Sequence, residues 1–177
     1  MQKTETDFIT VLIYIDDLLI TGNSLVVIES LKHFLHAAFT IKDLEDAHLF
    51  LEKELVRSPN GIVLFQRKYA LDLIIETGLL HAKMVSSPTD PNIKLHSQGS
   101  DFFHDPTAYR RLVGRLVYLT NTKLDLSYSV GLLSQFLDKP LIPHYNAALH
   151  VLRYVNASPA LGLFFSQQHR PQTFCFC

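Results

Sequence analysis

The sequence predicts an α+β protein, and three observations lead to that fold class. Two pairs of apolar, β-branched runs in the first 66 residues are typical of β-hairpins. Apolar residues at helical spacing follow each hairpin, and the pattern after residue 105 is mostly helical. The order is therefore hairpin, helix, hairpin and then helices, which is an α+β arrangement.

The composition is that of a folded globular chain. The 177 residues are 47% hydrophobic and 19% charged, enough for one ordinary domain or for two small lobes that share a core. The formal net charge of −1 gives no overall field to attract nucleic acid. Any contact with nucleic acid must therefore come from local basic residues.

Targeting signals are not evident in the sequence. The first residues lack the form of a secretory signal, and the apolar run that follows is too short to cross a bilayer. No membrane partner is expected.

The sequence has two cysteines, Cys175 and Cys177, which give no disulfide framework and no four-cysteine metal site. This usage favours an intracellular, reducing compartment, which the sequence does not specify further.

The first hairpin carries two adjacent acids. Residues 8–14 and 18–21 predict its strands, and Asp16 and Asp17 lie at the connection between them. Burying an ionised carboxylate is costly unless a cation or a hydrogen-bond donor compensates it. The two acids therefore either lie at an exposed turn or hold a metal ion. Paired carboxylates on a rigid strand end are a suitable platform for Mg²⁺ ions in phosphoryl transfer.

A helix follows the first hairpin, with Asn23 or Ser24 as its cap. Its apolar stripe consists of Leu25, Ile28, Leu31, Leu35 and Ala38. The opposite face carries Glu29, His33 and His36. These side chains could ligate a metal, but in the absence of a further ligand a solvated face explains them better.

The second hairpin is predicted from residues 48–56 and 62–66, which flank a turn at residues 58–61. Residues 69–77 predict a helix. Gly78 lies where a left-handed helix terminus requires a glycine.

Residues 81–105 are rich in Pro, Ser and Asp and predict an irregular connection, which is the expected lobe boundary. Asp105 can cap the next helix, with Pro106 in its first turn. Three helices are predicted in this lobe: residues 106–121, 125–137 and 144–157.

Basic residues gather on the first of these helices: Arg110, Arg111 and Arg115. Lys123 follows just after that helix. These cations either meet backbone phosphates or form a solvated face with local ion pairs. Two tyrosines of the same helix are expected in the core: Tyr109 and Tyr118.

The stretch "YIDD", Tyr14 to Asp17, is preceded by "VLI" and followed by "LLITGN". It resembles the Y-x-D-D catalytic hairpin of reverse transcriptases, specifically those of copia-type LTR retrotransposons. The resemblance continues to about Leu163 through "LKHFLHAAFTIKDLEDAHLFLEKEL", "GIVLFQRKYALDLIIETGLL", "SPTDPNIKL", "YRRLVGRLVYLTNTKLDLSYSVGLLSQFL" and "HYNAALHVLRYV".

The resemblance implies a partial polymerase palm, made of antiparallel hairpins and a helix, followed by a helical thumb or connection lobe. Residues 1–80 would form the partial palm, with the YIDD hairpin and a second, primer-grip-like hairpin. Residues 81–105 would be the irregular connection and residues 106–165 the helical lobe. Residues 166–177 would be an aberrant tail.

The resemblance also implies the site residues of an RNA-directed DNA polymerase, which is a nucleotidyltransferase. Asp16 would be the principal catalytic ligand of Mg²⁺ and Asp17 its helper. Tyr14 would contact the nucleic acid. Three arginines of the helical lobe would bind the RNA/DNA primer–template: Arg110, Arg111 and Arg115.

The sequence departs from the family's pattern upstream of the YIDD hairpin. The family's remaining metal-binding aspartate lies on an earlier palm strand, and the 177 residues include neither that strand nor the fingers. We therefore expect a truncated fragment with a weak or incomplete Mg²⁺ site, inactive alone, and with the missing N-terminal polymerase half as a partner. The alternative is a non-enzymatic remnant that binds nucleic acid or a related polyprotein.

Two further departures are local. Where the family has Phe-Leu-Gly in the second hairpin, this chain has Glu52 in place of the glycine. A glycine permits close approach of the backbone to the primer, and a glutamate adds bulk and negative charge. The family's Arg-Pro-Asp becomes Lys123-Leu124-Asp125.

Overall fold

The structure, a computed structural model, describes residues 7–15, 17–39, 41–44, 46–90, 95 and 101–167. The chain divides into two compact units, Met1–Leu51 and Glu52–Cys177. The elements of both units are helices and antiparallel strands.

The first unit begins with the predicted hairpin. Strands β1 (Ile9–Tyr14) and β2 (Asp17–Gly22) pair antiparallel, from Ile9 opposite Gly22 to Tyr14 opposite Asp17. The register leaves a two-residue connection, Ile15 and Asp16, of which Asp16 lies outside the described residues. Both strands are thus confirmed, within a residue or two at their ends.

Helix α1 (Leu25–Phe39) follows and packs against β2. Its predicted apolar stripe is half-buried at Ile28, Leu31 and Leu35, while both of its ends are exposed. A two-residue strand, β3 (Leu49–Phe50), closes the unit.

The first unit exposes many apolar side chains. Among the residues described between 7 and 51, none is buried. The most exposed of the large apolar side chains include Ile13 (68%), Ile15 (81%), Leu25 (78%), Phe34 (66%) and Phe39 (69%). Exposed apolar surface of this extent marks an interaction surface or a liability for aggregation.

The second unit begins with the second predicted hairpin, formed by β4 (Lys53–Ser58) and β5 (Gly61–Phe65). A strand that the sequence does not predict, β6 (Leu163–Ser166), pairs antiparallel with the other edge of β5. A Cβ atom at Gly61 would lie 2.1 Å from the carbonyl oxygen of Phe165, so the approach of β6 requires a glycine there.

Strand β6 reaches the first residue of the tail that the sequence predicts. Ser166 lies opposite Gly61 in the sheet. The amide of Gln167 also donates to the carbonyl of Asn60, at 3.0 Å. Residues 168–177, which include Cys175 and Cys177, lie outside the described residues.

The helices of the second unit are α2 (Arg67–Glu76), α3 (Pro106–Leu119), α4 (Ser127–Leu133) and α5 (Ile142–Ala157). Short 3₁₀ turns, Leu124–Leu126 and Ser134–Phe136, flank α4. The cap of α3 is confirmed, because the Ala108 amide donates to Asp105 Oδ1 at 2.9 Å. Gly78 has a φ of +70°, as its predicted position after α2 requires.

The core of the second unit is shared by all four helices. Its buried members include Ala70, Leu73, Ile74, Tyr109, Leu112, Leu116, Val130, Leu133, Ala148, Val151 and Leu152. The sequence predicts a lobe boundary within residues 81–105, whereas the two compact units divide at Leu51–Glu52. Helix α2 packs into the same core as α3 and α5, and the irregular segment therefore does not separate two cores.

Tyr109 is buried in this core, as expected, and its hydroxyl donates to the Leu133 carbonyl at 2.8 Å.

Within the described ranges, no helix has the length and apolar character that a membrane crossing needs.

Candidate functional site

The tip of the first hairpin holds the acidic motif. Tyr14 and Asp17 form the last residue pair of the β1–β2 ladder, and both are exposed. Residues directly opposite each other in an antiparallel pair project from the same face of the sheet. The Tyr14 ring and the Asp17 carboxylate therefore share one face of the hairpin at its very end.

Ile15, the first residue of the connection, adopts a left-handed backbone with a φ of +47°. Two-residue hairpin turns of the commonest type need a positive φ, which Asn, Asp and Gly tolerate far better than a β-branched residue. A left-handed residue with a Cβ costs about 1–2 kcal/mol. The Ile15 side chain is also 81% exposed, so packing does not offset this cost. Strain of this kind is typical of functional sites.

The donor chemistry at the tip fits a hard divalent cation. Carboxylate oxygens are the ligands that Mg²⁺ prefers, and the exposed Asp17 carboxylate supplies such oxygens at a strand end. Asp16 lies outside the described residues, so the structure gives no geometry for the pair. Within the described part of the chain, no group of three or more His, Cys, Asp or Glu is arranged to hold a metal ion.

The polar face of α1 has its own internal contacts. The Lys32 ammonium lies 2.9 Å from Asp43 Oδ2 and 3.1 Å from Glu29 Oε1. Hydrogen bonds to Asp43 and Glu29 raise the pKa of Lys32. The His36 ring bonds to the Ile41 carbonyl at 2.7 Å. The face thus consists of local pairs, in agreement with the interpretation as a solvated surface.

The bend before β4 also has a left-handed backbone. Leu51 and Glu52 have φ values of +51° and +56°. Glu52 is the position at which the resembling family has glycine, and glycine is the residue that this conformation favours. Close approach to the primer is one reason for a glycine at this position, and the left-handed backbone is a second, independent one.

The three arginines on α3 differ in their surroundings. Arg110 donates from Nε to the Leu137 carbonyl at 2.8 Å and from Nη2 to the Asp138 carbonyl at 3.3 Å. Arg115 forms an ion pair with Glu76. Arg111 is exposed. Two of the three side chains are thus engaged within the protein, and Arg111 is the one best placed to meet a phosphate.

Arg115 belongs to an alternating series of cations and aromatic rings. Its guanidinium lies 5.4 Å from the centre of the Tyr69 ring, and the Tyr69 and Tyr118 rings are 5.2 Å apart, edge to face. Lys53 Nζ lies 4.6 Å from the centre of the Tyr118 ring and donates to its hydroxyl at 3.2 Å. The series links β4, α2 and α3, which indicates a structural role.

Lys123 is buried, with 2% of its surface exposed. Its Nζ donates to the Ser158 carbonyl at 2.8 Å and to the Leu161 carbonyl at 3.0 Å. Burial lowers its pKa to about 8, and the attraction of Asp125 opposes that change. The interpretation of Lys123 as a phosphate contact is therefore wrong, because its ammonium points into the protein.

Both a known protein family and individual known proteins are similar to this chain. The model of the family described as reverse transcriptase (RNA-dependent DNA polymerase) matches residues 2–91, which include the YIDD hairpin and the second hairpin. No solved structure matches the chain significantly.

Several curated proteins are similar to this chain. The retrovirus-related Pol polyprotein from transposon RE2 of Arabidopsis thaliana is 44% identical over 161 residues, which are 90% of this chain and 11% of that protein. The corresponding polyprotein from transposon RE1 is 41% identical over 156 residues, 88% of this chain and 11% of the relative. An uncharacterized mitochondrial protein of the same plant is 35% identical over 167 residues, 94% of this chain and 69% of the relative.

This chain spans about a tenth of the length of the two Pol polyproteins. The resemblance inferred from the YIDD motif is confirmed at the level of a reverse transcriptase region. The chain belongs to the reverse transcriptase (RNA-dependent DNA polymerase) family.

Proposed function

We propose that the β1–β2 hairpin supplies part of the metal-binding catalytic site of a retrotransposon RNA-directed DNA polymerase of the copia type. The observation that carries this proposal is the register of the hairpin, which ends at the Tyr14–Asp17 pair and leaves a two-residue tip that begins with the left-handed Ile15. The tip lies within the part of the chain that matches the reverse transcriptase family. The chemistry is nucleotidyl transfer to the 3′ hydroxyl of a primer.

Asp16 and Asp17 are the proposed ligands of Mg²⁺. When bound, the metal lowers the pKa of the attacking hydroxyl and neutralises charge on the leaving phosphate oxygens. Asp17 lies at a strand end, where the ladder fixes the position of its backbone. The Tyr14 ring on the same face offers a flat apolar surface and a hydroxyl, which suit the sugar and base at a primer terminus.

The remainder of the chain is proposed to hold the primer–template. Residues 1–80 correspond to part of the palm and residues 106–165 to a thumb or connection lobe, on the strength of the family resemblance. Exposed Arg111 is the residue of α3 best placed to contact a backbone phosphate.

We further propose that the 177 residues do not catalyse synthesis by themselves. Mg²⁺ requires about six oxygen ligands in octahedral geometry, and two-metal catalysis needs two such sites a few ångströms apart. Water and substrate phosphates fill some of these positions, but two neighbouring carboxylates leave few protein ligands for two ions. A further carboxylate ligand would come from another polymerase segment, which is also the proposed protein partner.

Primer extension tests this proposal. The chain alone should give no Mg²⁺-dependent incorporation on an RNA template. A chimera, in which this chain replaces the aligned stretch of the RE2 Pol polyprotein, should extend the primer. In the chimera, Asp16→Asn should reduce the rate by about 100-fold or more, because the carboxylate holds the metal that stabilises the transition state.

Asp72→Asn, at an exposed position of α2, is the matched control and should leave the rate unchanged. A chimera that retains its rate with Asp16→Asn would contradict the proposed metal site. Robust incorporation by the chain alone, abolished by Asp16→Asn, would support the site and contradict only the need for another segment.

A second candidate function is binding of nucleic acid without catalysis, and the exposure of Arg111 favours it. In that case the chain binds RNA in a salt-dependent manner, Arg111→Ala weakens the binding, and Asp16→Asn does not. Absence of binding at low salt would exclude this function.

A further inference from the structure

A cavity of about 230 Å³ lies at the carboxyl end of α5. It is partly open to solvent, and its walls are mainly apolar with a few hydroxyl groups. The residues that line it include Lys123, Ser86, Tyr154, Ala157 and Ser158. The cavity belongs to the second unit and is separate in sequence from the YIDD hairpin.

The amine of Lys123 is held by two backbone carbonyls, those of Ser158 and Leu161. A neutral amine has two hydrogens and a lone pair, whereas an ammonium has three hydrogens. Two hydrogens are sufficient for both of these carbonyls. Loss of the third proton therefore breaks neither hydrogen bond and leaves a lone pair on a nitrogen whose side chain lines the cavity.

The surroundings also favour the neutral amine. Burial lowers the pKa of Lys123 to about 8. The charged group facing it is Asp125, whose Oδ2 accepts a hydrogen bond from the Tyr154 hydroxyl at 2.7 Å. That hydrogen bond raises the pKa of Tyr154, which stays protonated at neutral pH. At pH 7 roughly a tenth of Lys123 is then neutral, about 200-fold more than for an ordinary lysine.

We propose that Lys123 is a reactive amine that forms an imine with small, mainly apolar aldehydes admitted by this cavity. The Nζ lone pair adds to the carbonyl carbon, and the resulting carbinolamine loses its oxygen as water. The products are one imine and one water, with no oxidant or reductant required. The protonated imine keeps one N–H, which can still donate to one of the two carbonyls.

The size of the cavity limits the aldehyde. A cavity of about 150 Å³ lined by apolar side chains holds benzene, so 230 Å³ is sufficient for an aldehyde of the size of benzaldehyde. This site goes beyond the proposed polymerase function, since it involves neither the hairpin nor nucleic acid. Failure of either proposal leaves the other intact.

The test is reductive labelling of the whole chain with benzaldehyde and cyanoborohydride at pH 7, followed by peptide mass spectrometry. Lys123 should be labelled at least 10-fold faster than exposed Lys139, and its labelling rate should rise with pH to a midpoint near 8. Equal or slower labelling of Lys123 would overturn the proposal.

Two variants test the roles of the amine and of the cavity separately. Lys123→Arg restores the residue of the resembling family, keeps donors for both carbonyls and removes the nucleophile, so labelling at this position should disappear while the melting temperature changes little. Ala157→Leu narrows the cavity, and it should slow labelling by benzaldehyde at least fivefold while labelling by formaldehyde is unchanged. If Ala157→Leu slows neither reagent, the cavity does not admit the aldehyde and the proposal fails.

Discussion

Tyr14 and Asp17 face each other as the last residue pair of the β1–β2 hairpin, with a connection of only two residues beyond them. This pairing fixes an aromatic ring and a carboxylate on one face of a strand end. A longer loop would leave the carboxylate without a defined position. The proposed metal site depends on this register, because a shift by one residue would move every side chain to the opposite face.

The left-handed backbone of Ile15 gives the first prediction. Ile15→Gly should stabilise the hairpin by about 1 kcal/mol, because glycine adopts a positive φ without the steric cost of a Cβ. Amide hydrogen exchange of residues 9–14 and 17–22 should slow accordingly. Ile13→Gly, in the middle of β1, should instead accelerate exchange, since it lacks a positive φ to relieve. Faster exchange in both variants would show that Ile15 is unstrained.

Glu52 gives the second prediction. Glu52→Gly should raise the melting temperature by about 2–4 °C, which corresponds to about 1 kcal/mol for a chain of this size. Glu52→Ala removes the same charge but keeps the Cβ at a φ of +56°, so it should give little or no gain. Equal gains from both variants would attribute the effect to the charge and contradict the backbone explanation.

The arginines of α3 give the third prediction. Arg111→Ala should leave stability within about 0.5 kcal/mol and reduce the salt dependence of RNA binding by about one unit of slope. Arg115→Ala should cost roughly 1 kcal/mol, because it removes both the ion pair with Glu76 and the contact with the Tyr69 ring. Fluorescence anisotropy at several salt concentrations and urea unfolding measure the two effects. A smaller salt dependence in Arg115→Ala and an unchanged one in Arg111→Ala would show that Arg115, not Arg111, contacts phosphate.

Lys123 gives the fourth prediction, on the dependence of stability on pH. Its pKa is about 8 in the folded protein and 10.5 in the unfolded chain. Unfolding therefore takes up a proton within this window, and the free energy of unfolding should rise by roughly 1 kcal/mol per pH unit between pH 8 and 9.5. This contribution is lost as the pH falls through 8.

The measurement is urea unfolding followed by near-ultraviolet circular dichroism of the tyrosines. The difference between the wild-type chain and Lys123→Arg isolates the lysine, because arginine does not titrate in this range. Above pH 10 the free energy of unfolding of both proteins also falls as Tyr109, whose pKa is raised by burial, ionises in the unfolded chain, and this shared contribution cancels in the difference. A difference that does not change between pH 8 and 9.5 would contradict the assignment.

Local patterns were sufficient to predict several features of the fold. The β-branched runs around the YIDD motif predict β1 and β2, and the Asp105–Pro106 pair predicts the start of α3 together with its capping bond. Gly78 is predicted at a left-handed helix end for the same reason, since its role depends only on neighbouring residues.

Features that depend on distant contacts could not be predicted in this way. Strand β6 exists because it pairs with β5, about a hundred residues earlier in the chain, and a short run such as Leu163–Ser166 carries little signal of its own. Lys123 follows a helix in the same way that a surface cation would, and only the carbonyls of Ser158 and Leu161 reveal its burial. Likewise, the packing of α2 against α5 places the division between units before the second hairpin.

The central claim is that the tip of the first hairpin binds a divalent cation. Titration of the chain with Mn²⁺, followed by NMR, tests it most directly, because this ion replaces Mg²⁺ on carboxylate oxygens and broadens nearby amide signals. We expect broadening centred on residues 14–17 and its loss in the Asp16→Asn/Asp17→Asn double variant. Broadening that persists in that variant, or that centres on Glu29 and Asp43 instead, would contradict the claim.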